Sequence, residues 1–396
     1  MSEWVVRKLG DLAVYVNGRA FKPADWGTHG LPIVRIANLN NAAAPFDFFS
    51  GDLADGHLID TGDIVVSWSA TLDAFIWNRG PAAVNQHSFK VIPNASTVDK
   101  EFLFFILKEG MHGLSSLVHG ATMKHVTRPE FEGYEIRMPS SINEQRRIAA
   151  RLKAQLVAVE DAREAAQSQA NEVTALEKSF YRELENDLFS RSTRTLFGEW
   201  VVSYRNGFGK RPKAGEIGVI VLRIADVSGG FIRLDAPRHG MVSAWEAATY
   251  RLVPGDLLFV RVNGTKRIVG RCCVVSGEVP SDTIFNDHLI RAQLRNGLNP
   301  DYARLCVTLP SARAAIEEAA STSAGQLTVN QQILDAIEIP TLSIDEQIAT
   351  VKGVENRLNS IVEMRQLIDA RLADLERLPA RLLAEAFHPS SEEAMA

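Results

Sequence analysis

Apolar residues recur at two spacings in the globular parts of this chain. Short runs of β-branched and aromatic residues bounded by Gly, Pro, Asn and Asp predict strands joined by turns, as in Asp63 to Trp68 and Leu257 to Val262. Asp99 to Leu107 and Pro300 to Leu309 have the apolar spacing of helices, with Asp99 and Asn299 placed to cap them. The pattern predicts one globule of mixed α and β structure in each half of the chain.

A different pattern follows Pro139 and Pro340, where Ala, Leu, Glu, Arg and Gln dominate and neither Gly nor Pro occurs from Ser140 to Phe197. Apolar residues there alternate in steps of three and four, the spacing of a coiled-coil seam. Arg163 and Glu177 interrupt the first seam, and Arg365 and Pro379 interrupt the second. The first seam consists of Leu152, Leu156, Val159, Ala166, Ala170, Val173, Phe180 and Leu184, and the second of Val351, Val354, Leu358, Ile361, Ile368, Leu372, Leu375 and Leu382.

A helix of about 40 residues spans about 60 Å, which is far longer than a globule is wide. A lone helix would leave its apolar stripe in water, so we expect the two stripes to pair with each other. The predicted fold class is α+β: two mixed α/β globules joined by two long antiparallel coiled-coil helices with pseudo-twofold symmetry.

The two halves of the chain are copies of one unit, because short strings return in the same order with a shift that drifts only from 188 to 202 residues. Chance matches would not keep both order and spacing. Five strings recur in this way. They begin at Tyr15 and Tyr204, at Ile33 and Val221, at Gly62 and Gly255, at Asn85 and Asn286, and at Pro139 and Pro340, the last followed by Glu144-Gln145 and Glu346-Gln347.

Net charge is −5, which by itself disfavours a nucleic-acid partner, because Lys and Arg drive phosphate binding. However, residues 144–190 have a net charge of −2 and residues 344–396 of −4, leaving about +1 for everything else. The acidity lies in the helical segments. The globules remain candidates for binding a polyanion, especially at the basic run of Arg205, Lys210, Arg211 and Lys213.

Other features limit the possible chemistry. Cys272, Cys273 and Cys306 form no Cys-x-x-Cys pair and are expected to be reduced and buried. No apolar run suits a membrane span, and the first residues lack the pattern of a secretory signal, so we expect a soluble cytosolic protein. The sequence has no phosphate-binding loop, no dinucleotide fingerprint, no Asn-Pro-Pro-aromatic motif of adenine methyltransferases and no zinc-spaced Cys/His cluster. We therefore expect the chain to be inert alone.

The copies differ most in their polar loops. Ser67-Trp68-Ser69-Ala70-Thr71 and Val260 to Arg267 follow the same Gly-Asp and strand but have different side chains. Arg, Lys, Asn and Gln pair with base edges, and Ser, Thr and Lys hold phosphates. Two related but non-identical globules suit two different DNA half-sites, which lie about 34–36 Å apart when they are one helical turn apart on the same face.

The chain closely resembles the specificity (S) subunit of type I restriction-modification systems over nearly its whole length. The resemblance rests on Asn17-Gly18-Arg19-Ala20-Phe21-Lys22-Pro23, the segment Gly62 to Thr71, Asn85-Gln86-His87, and Pro139 with Glu144-Gln145-Arg146-Arg147-Ile148. The second copy keeps only Asn206-Gly207 of the first of these motifs.

The resemblance implies a first target-recognition domain at 1–139, a first conserved helix at 140–190, a second target-recognition domain at 191–340, a second conserved helix at 341–388 and a tail at 389–396. It also implies binding to a bipartite, asymmetric DNA sequence and docking of two methyltransferase subunits, with restriction subunits completing a nuclease for phage defence. S-adenosylmethionine, ATP and Mg²⁺ would belong to those partners, and this chain would hold no cofactor or metal.

The candidate DNA-binding residues follow from the basic run, from the divergent loops and, for Lys124 and His125, from the resemblance. We expect no catalytic residue. The candidates are Arg19, Lys22, Ser67, Trp68, Ser69, Thr71, Lys124, His125, Arg205, Lys210, Arg211, Lys213, Arg261, Asn263, Thr265, Lys266 and Arg267.

Several of these residues also have a structural interpretation. The basic run is alternatively a solvated loop, and Trp68 is alternatively core. Arg35 and Arg223 are expected to pair with carboxylates, and His87 and His288 to be hydrogen-bonded scaffold residues, since nothing in the sequence supplies a nucleophile beside them. Glu144 and Glu346 sit near helix starts, where acids favour the dipole.

Two other functions stay open at this stage. An enzyme that itself methylates or cuts DNA would show activity as purified protein. A structural adaptor that only holds proteins together would show no salt-sensitive, sequence-dependent binding to duplex DNA.

Overall fold

A computed structural model describes residues 3–68, 72–117, 127–210, 217–323 and 325–387. The chain divides into two compact units, the first comprising residues 1–168 and 369–396 and the second residues 169–368. Each unit therefore contains one globule and a segment of each long helix. Among the described residues, no helix combines the length and the apolar character that crossing a bilayer requires.

The described part of the first globule contains ten strands and four short or medium helices, followed by the long helix α5. The strands are β1 (Trp4–Lys8), β2 (Ala13–Asn17), β3 (Leu31–Val34), β4 (Asp47–Phe49), β5 (Leu58–Ile59), β6 (Ile64–Ser67), β7 (Asp73–Ile76), β8 (Ala82–Val84), β9 (Ser88–Pro93) and β10 (Glu135–Pro139). The helices are α1 (Leu9–Leu12), α2 (Ile36–Asn40), α3 (Lys100–Leu117), α4 (Arg128–Glu132) and α5 (Ile142–Arg191).

The second globule follows the same plan, and the long helix α10 follows it. Its strands are β11 (Thr193–Leu196), β12 (Val201–Asn206), β13 (Val219–Leu222), β14 (His239–Gly240), β15 (Leu257–Val260), β16 (Val262–Asn263), β17 (Cys272–Val274), β18 (Ile284–Phe285), β19 (Leu289–Leu294), β20 (Ser321–Ser323), β21 (Gln326–Thr328) and β22 (Glu338–Thr341). The helices are α6 (Ala244–Tyr250), α7 (Pro300–Thr308), α8 (Pro310–Ala319), α9 (Gln331–Asp335) and α10 (Ile344–Phe387).

The sheets establish that the sequence repeat is a structural repeat. An antiparallel sheet in the order β2-β9-β6-β7 corresponds to β12-β19-β15-β17, and the antiparallel pair β1-β10 corresponds to β11-β22. A second sheet, β4-β3-β8-β5, corresponds to β14-β13-β18, and the equivalent pairs β3-β8 and β13-β18 are both parallel. The second globule also contains a three-stranded sheet in the order β16-β21-β20.

The predicted helix starts are confirmed. The side chain of Asp99 accepts hydrogen bonds from the backbone N–H groups of Glu101 and Phe102, and Asn299 does the same for Asp301 and Tyr302. α3 continues beyond the predicted Leu107 to Leu117, whereas α7 ends at Thr308. These helices pack on the antiparallel sheets, and buried side chains such as Phe102 and Tyr302 fill the cores.

The two long helices pair antiparallel within each unit. In the second unit, Phe180 and Leu184 of α5 and Val351, Val354 and Leu358 of α10 belong to one apolar cluster. In the first unit, the start of α5 and the end of α10 share a cluster that includes Ile148, Leu152, Leu382 and Phe387. The predicted apolar seams are therefore the contact surfaces of the helix pair.

One predicted strand is interrupted. The run Leu257 to Val262 forms β15 only as far as Val260, and β16 begins at Val262 in a different sheet. Arg261 lies at the break, where its N–H donates to the carbonyl of His288 and its own carbonyl accepts from the N–H of Val329. Its backbone therefore bonds to two different segments, and the strand leaves the first sheet here.

Candidate nucleic-acid interface

Three recurring strings of the first unit meet at one end of its antiparallel sheet. The N–H of Gly18 donates to the carbonyl of Ser88 at 3.0 Å, and Arg19 forms a bridge with Asn85. Trp68, directly after β6, donates its N–H to the carbonyl of His87 at 3.4 Å. The Asn-Gly loop, the loop after β6 and the Asn85-Gln86-His87 turn are therefore neighbours.

The second unit brings together the corresponding three segments. The N–H of Gly207 donates to the carbonyl of Leu289 at 3.2 Å, and Phe208 forms a bridge with Asn286. The N–H of Arg261 donates to the carbonyl of His288 at 2.7 Å. The same frame thus presents different side chains in the two units.

Arg19 is held in place by its surroundings in the first unit. Its guanidinium lies 4.3 Å from the ring centre of Phe49, and its Nη2 lies 3.3 Å from a carboxylate oxygen of Asp25. About a third of the side chain remains exposed. The nearby Lys22 is exposed, and its ammonium has no hydrogen bond or ion pair within the described part of the chain.

Ser67 and Trp68 lie where β6 ends, and both are less accessible than the sequence suggested. Ser67 is completely buried, and the indole of Trp68 is stacked on Phe89 with 5.9 Å between ring centres. Trp68 packs against the core of the first globule. The predicted DNA contact of Ser67 does not fit this burial, and the core interpretation of Trp68 is the better one here.

Arg205 and Lys210 of the basic run differ in their surroundings. Arg205 is exposed on β12, directly across from Arg291 of β19. Lys210 is exposed, but its Nζ lies 3.1 Å from a carboxylate oxygen of Glu246. The pKa of Glu246 is lowered by hydrogen bonds from the backbone and hydroxyl of Ser243 and from Lys210. Lys210 is thus a surface cation with an existing partner.

The loop after β15 contains five further candidates. Arg261 donates from Nη1 to the carbonyl of Asp287 at 3.0 Å, and Asn263 accepts the N–H of Thr265 at 2.9 Å. These two side chains shape the loop. Thr265, Lys266 and Arg267 are exposed.

Six other candidates lie outside the described residues. They are Ser69, Thr71, Lys124, His125, Arg211 and Lys213.

The structural interpretation of the matched arginines is confirmed. Arg35 pairs with Asp47 at 2.5 Å, and Arg223 pairs with Asp226 at 2.8 Å. The hydrogen bonds that Arg223 donates to Asp226 raise the pKa of Arg223, because the carboxylate stabilises the charged guanidinium.

The matched histidines take part in the frame through their backbone atoms. The N–H of His87 donates to the side-chain oxygen of Asn85, and the carbonyl of His288 accepts from Arg261. The nearest carboxylate oxygen of Asp287 lies 3.8 Å from Nε2 of His288. The described residues also contain no cluster of three His, Cys, Asp or Glu side chains that would hold a metal ion.

A pair of buried glutamines escaped the sequence-based analysis. Gln145 and Gln347 are fully buried near the starts of α5 and α10. Oε1 of Gln145 accepts the N–H of Asp99, and Nε2 donates to the carbonyls of Thr97 and Pro139. Gln347 makes the equivalent bonds with Asn299, Gly297 and Leu342. The recurrence of Glu-Gln in both copies was the available signal.

Comparison with known proteins agrees with this architecture. The pattern of the family described as "Type I restriction modification DNA specificity domain" matches residues 1–164. The specificity subunit of the type I restriction enzyme EcoKI from Escherichia coli K12 is 24% identical over 418 residues, covering 97% of this chain and 88% of that protein. The specificity subunit of StySPI from Salmonella potsdam is 26% identical, covering 90% of this chain and 81% of its own length.

Solved structures share the fold. The HsdS subunit from Thermoanaerobacter tengcongensis has a TM-score of 0.59 at 17% identity and covers 98% of this chain and 97% of its own. A chain from a structure described as the basis of complex assembly and conformational transition of the type I R-M system has a TM-score of 0.72 at 14% identity, with 98% of both chains covered.

These matches indicate first a class of protein, because residues 1–164 fit the pattern of the type I DNA specificity domain. Over nearly its whole length, the chain is similar to the specificity subunits of type I restriction enzymes.

Proposed function

We propose that this chain recognises a bipartite, asymmetric DNA sequence, with one half-site bound by each unit. One observation supports this most directly: both units bring three equivalent segments together in the same frame, yet the side chains on those segments differ. A repeated frame with different polar loops suits two different short sequences. Two identical half-sites would require no such difference.

The candidate contacts divide by accessibility. Lys22, Arg205, Thr265, Lys266 and Arg267 are exposed and offer donors to DNA, as Arg19 does in part. Arg261 and Asn263 are partly buried and support the loop that carries the exposed residues. We retain the candidates outside the described residues, Ser69, Thr71, Lys124, His125, Arg211 and Lys213, as proposed contacts.

We further propose that the paired helices dock two methyltransferase subunits and that restriction subunits join the assembly in the cytoplasm. One related structure is described in terms of complex assembly of the type I system, which supports this arrangement. S-adenosylmethionine, ATP and Mg²⁺ then act in the partner subunits. We take residues 1–139 and 191–340 as the two target-recognition domains, residues 140–190 and 341–388 as the conserved helices, and residues 389–396 as a tail.

Genome-wide mapping of methylated adenine, in cells with and without this chain, tests the proposal. The expected result is a two-part motif that is methylated only when the chain is present. If the same motifs are methylated with and without the chain, the proposal is contradicted, and an adaptor without DNA specificity is favoured. Methylation of DNA by the purified chain without partners would instead indicate an enzyme.

A further inference from the structure

The loop after β15 differs in length and charge between the two units, near the three converging segments. In the second unit, eleven residues, 261–271, separate β15 from β17, whereas five residues, 68–72, separate β6 from β7 in the first. We call residues 261–271 the basic loop. It contains Arg261, Lys266, Arg267 and Arg271 and no acidic residue, whereas residues 68–72 contain no basic residue.

The backbone of the basic loop is fixed at several points. The strand β16 within it pairs with β21, and Nε of Arg271 donates to the carbonyl of Arg267 at 2.9 Å. From α8, Nη2 of Arg313 donates to the carbonyl of Val269 at 3.0 Å. Gly270 has a φ of +71°, a left-handed conformation that glycine adopts without strain. The loop therefore presents its side chains from a fixed backbone.

In contrast to the fixed backbone, the charged side chains at the tip of the basic loop have no partners among the described residues. Lys266 and Arg267 are exposed, and neither charged group has a hydrogen bond or ion pair with any other described residue. Base recognition by Arg or Lys requires a side chain held in a defined direction by its neighbours. Two exposed cations with free side chains suit phosphate groups, which attract charge from many directions.

Electrostatics around the basic loop also favour an anion. Burial lowers the pKa of Arg271, and the positive charges of Arg267 and Arg313 lower it further. Glu317 pairs with Arg313 at 3.1 Å, which leaves the three loop cations Lys266, Arg267 and Arg271 without a carboxylate of their own among the described residues. A phosphate brought to the tip would relieve this repulsion.

We propose that Lys266 and Arg267 at the tip of the basic loop bind the sugar-phosphate backbone of DNA and fasten the second unit to the duplex without selecting bases. This inference rests on the proposed function and assigns one contact type to one part of the interface. The corresponding five residues of the first unit offer no such cation.

The test uses the complete complex of this chain with its methyltransferase subunits. Its DNA affinity is measured across a range of salt concentrations, on a duplex containing the methylated motif and on a scrambled duplex. The probe variant is Lys266→Gln with Arg267→Gln. The control is Arg251→Gln with Arg295→Gln, which removes the same charge from two exposed residues of the second globule that lie outside the basic loop and outside the long helices. Assembly of each variant complex is checked by its size in solution.

Each phosphate contact contributes about 0.9 to the slope of log affinity against log salt. The probe variant is expected to lower the magnitude of that slope by about 1 to 2 and to lower the affinity for both duplexes by the same factor. The control variant is expected to have the same slope as the parent. The DNA motif that is methylated is expected to be the same for the parent, the probe variant and the control.

Two results would overturn the inference while leaving the proposed function intact: a probe slope equal to that of the parent, or a loss confined to the cognate duplex. The second would mean that the basic loop selects bases. If the parent complex itself did not distinguish the two duplexes, the proposed function would fail, and the two failures are therefore separable.

Discussion

Two glycines explain why Asn-Gly recurs in both copies of the repeat. A Cβ atom placed on Gly18 would lie 2.2 Å from the carbonyl oxygen of Asn85, and one on Gly207 would lie 2.0 Å from that of Asn286. Both distances are far shorter than any tolerated contact between these atoms. The Asn-Gly string and the Asn-x-His string are therefore kept together by backbone packing, and their recurrence reports the frame rather than the bases recognised.

Gly207→Ala should consequently destabilise the second unit. The added methyl must push Asn286 away, and forcing an extra carbon into a packed site typically costs about 1–3 kcal/mol. Gly209→Ala is the matched control, because no atom of the described residues lies within 4 Å of its Cβ position. Thermal unfolding of the full chain measures the difference. Equal midpoints for the two variants would contradict the packing argument.

The buried glutamines lead to a second residue-scale prediction. Gln347→Leu removes the partners of the Asn299 N–H and of the Gly297 and Leu342 carbonyls. A buried polar group without a partner costs about 1–3 kcal/mol, so a loss of at least about 2 kcal/mol is expected. Gln366→Leu, on the exposed surface of the same helix, serves as the control in chemical denaturation. The prediction fails if both substitutions have the same small effect.

At the scale of whole elements, one polar interruption of each apolar seam pairs with the other in the second unit. Glu177 of α5 and Arg365 of α10 meet at 2.8 Å, so the break in one stripe lies opposite the break in the other. A polar pair in an otherwise apolar seam disfavours other registers, because a shift would place each charge against apolar side chains.

Reversing one charge of this pair should lower the stability of the helix pair, and reversing both should restore it. The side chains are 34% and 43% exposed, so solvent screens the pair and about 0.5–1 kcal/mol is expected. The variants are Glu177→Arg, Arg365→Glu and the two combined, with Glu355→Arg on an exposed position of α10 as the control. Thermal melting followed by circular dichroism provides the measurement. A double variant less stable than both single variants would refute the register argument.

The elements differ in how far the sequence could predict them. The helix pair was predictable because a long apolar stripe has few other ways to leave water. The break of β15 at Arg261 was not, because it depends on contacts with His288 and Val329, which are distant in the chain. For the same reason, the sequence of the basic run did not indicate that Lys210 is paired with Glu246. It also did not indicate that Gln145 and Gln347 join each long helix to its globule.

For the whole molecule, the repeat together with the proposed function predicts that the two halves of the DNA target are chosen independently. Each unit has its own apolar clusters and its own three converging segments. Exchanging residues 191–340 for those of a related specificity subunit with another target should therefore replace one half of the methylated motif and keep the other. Adenine methylation mapped in cells that contain the chimera gives the motif directly, and assembly with the methyltransferase subunits controls for misfolding. A motif altered in both halves would mean that each unit influences the bases chosen by the other, and an unaltered motif would place base selection outside residues 191–340.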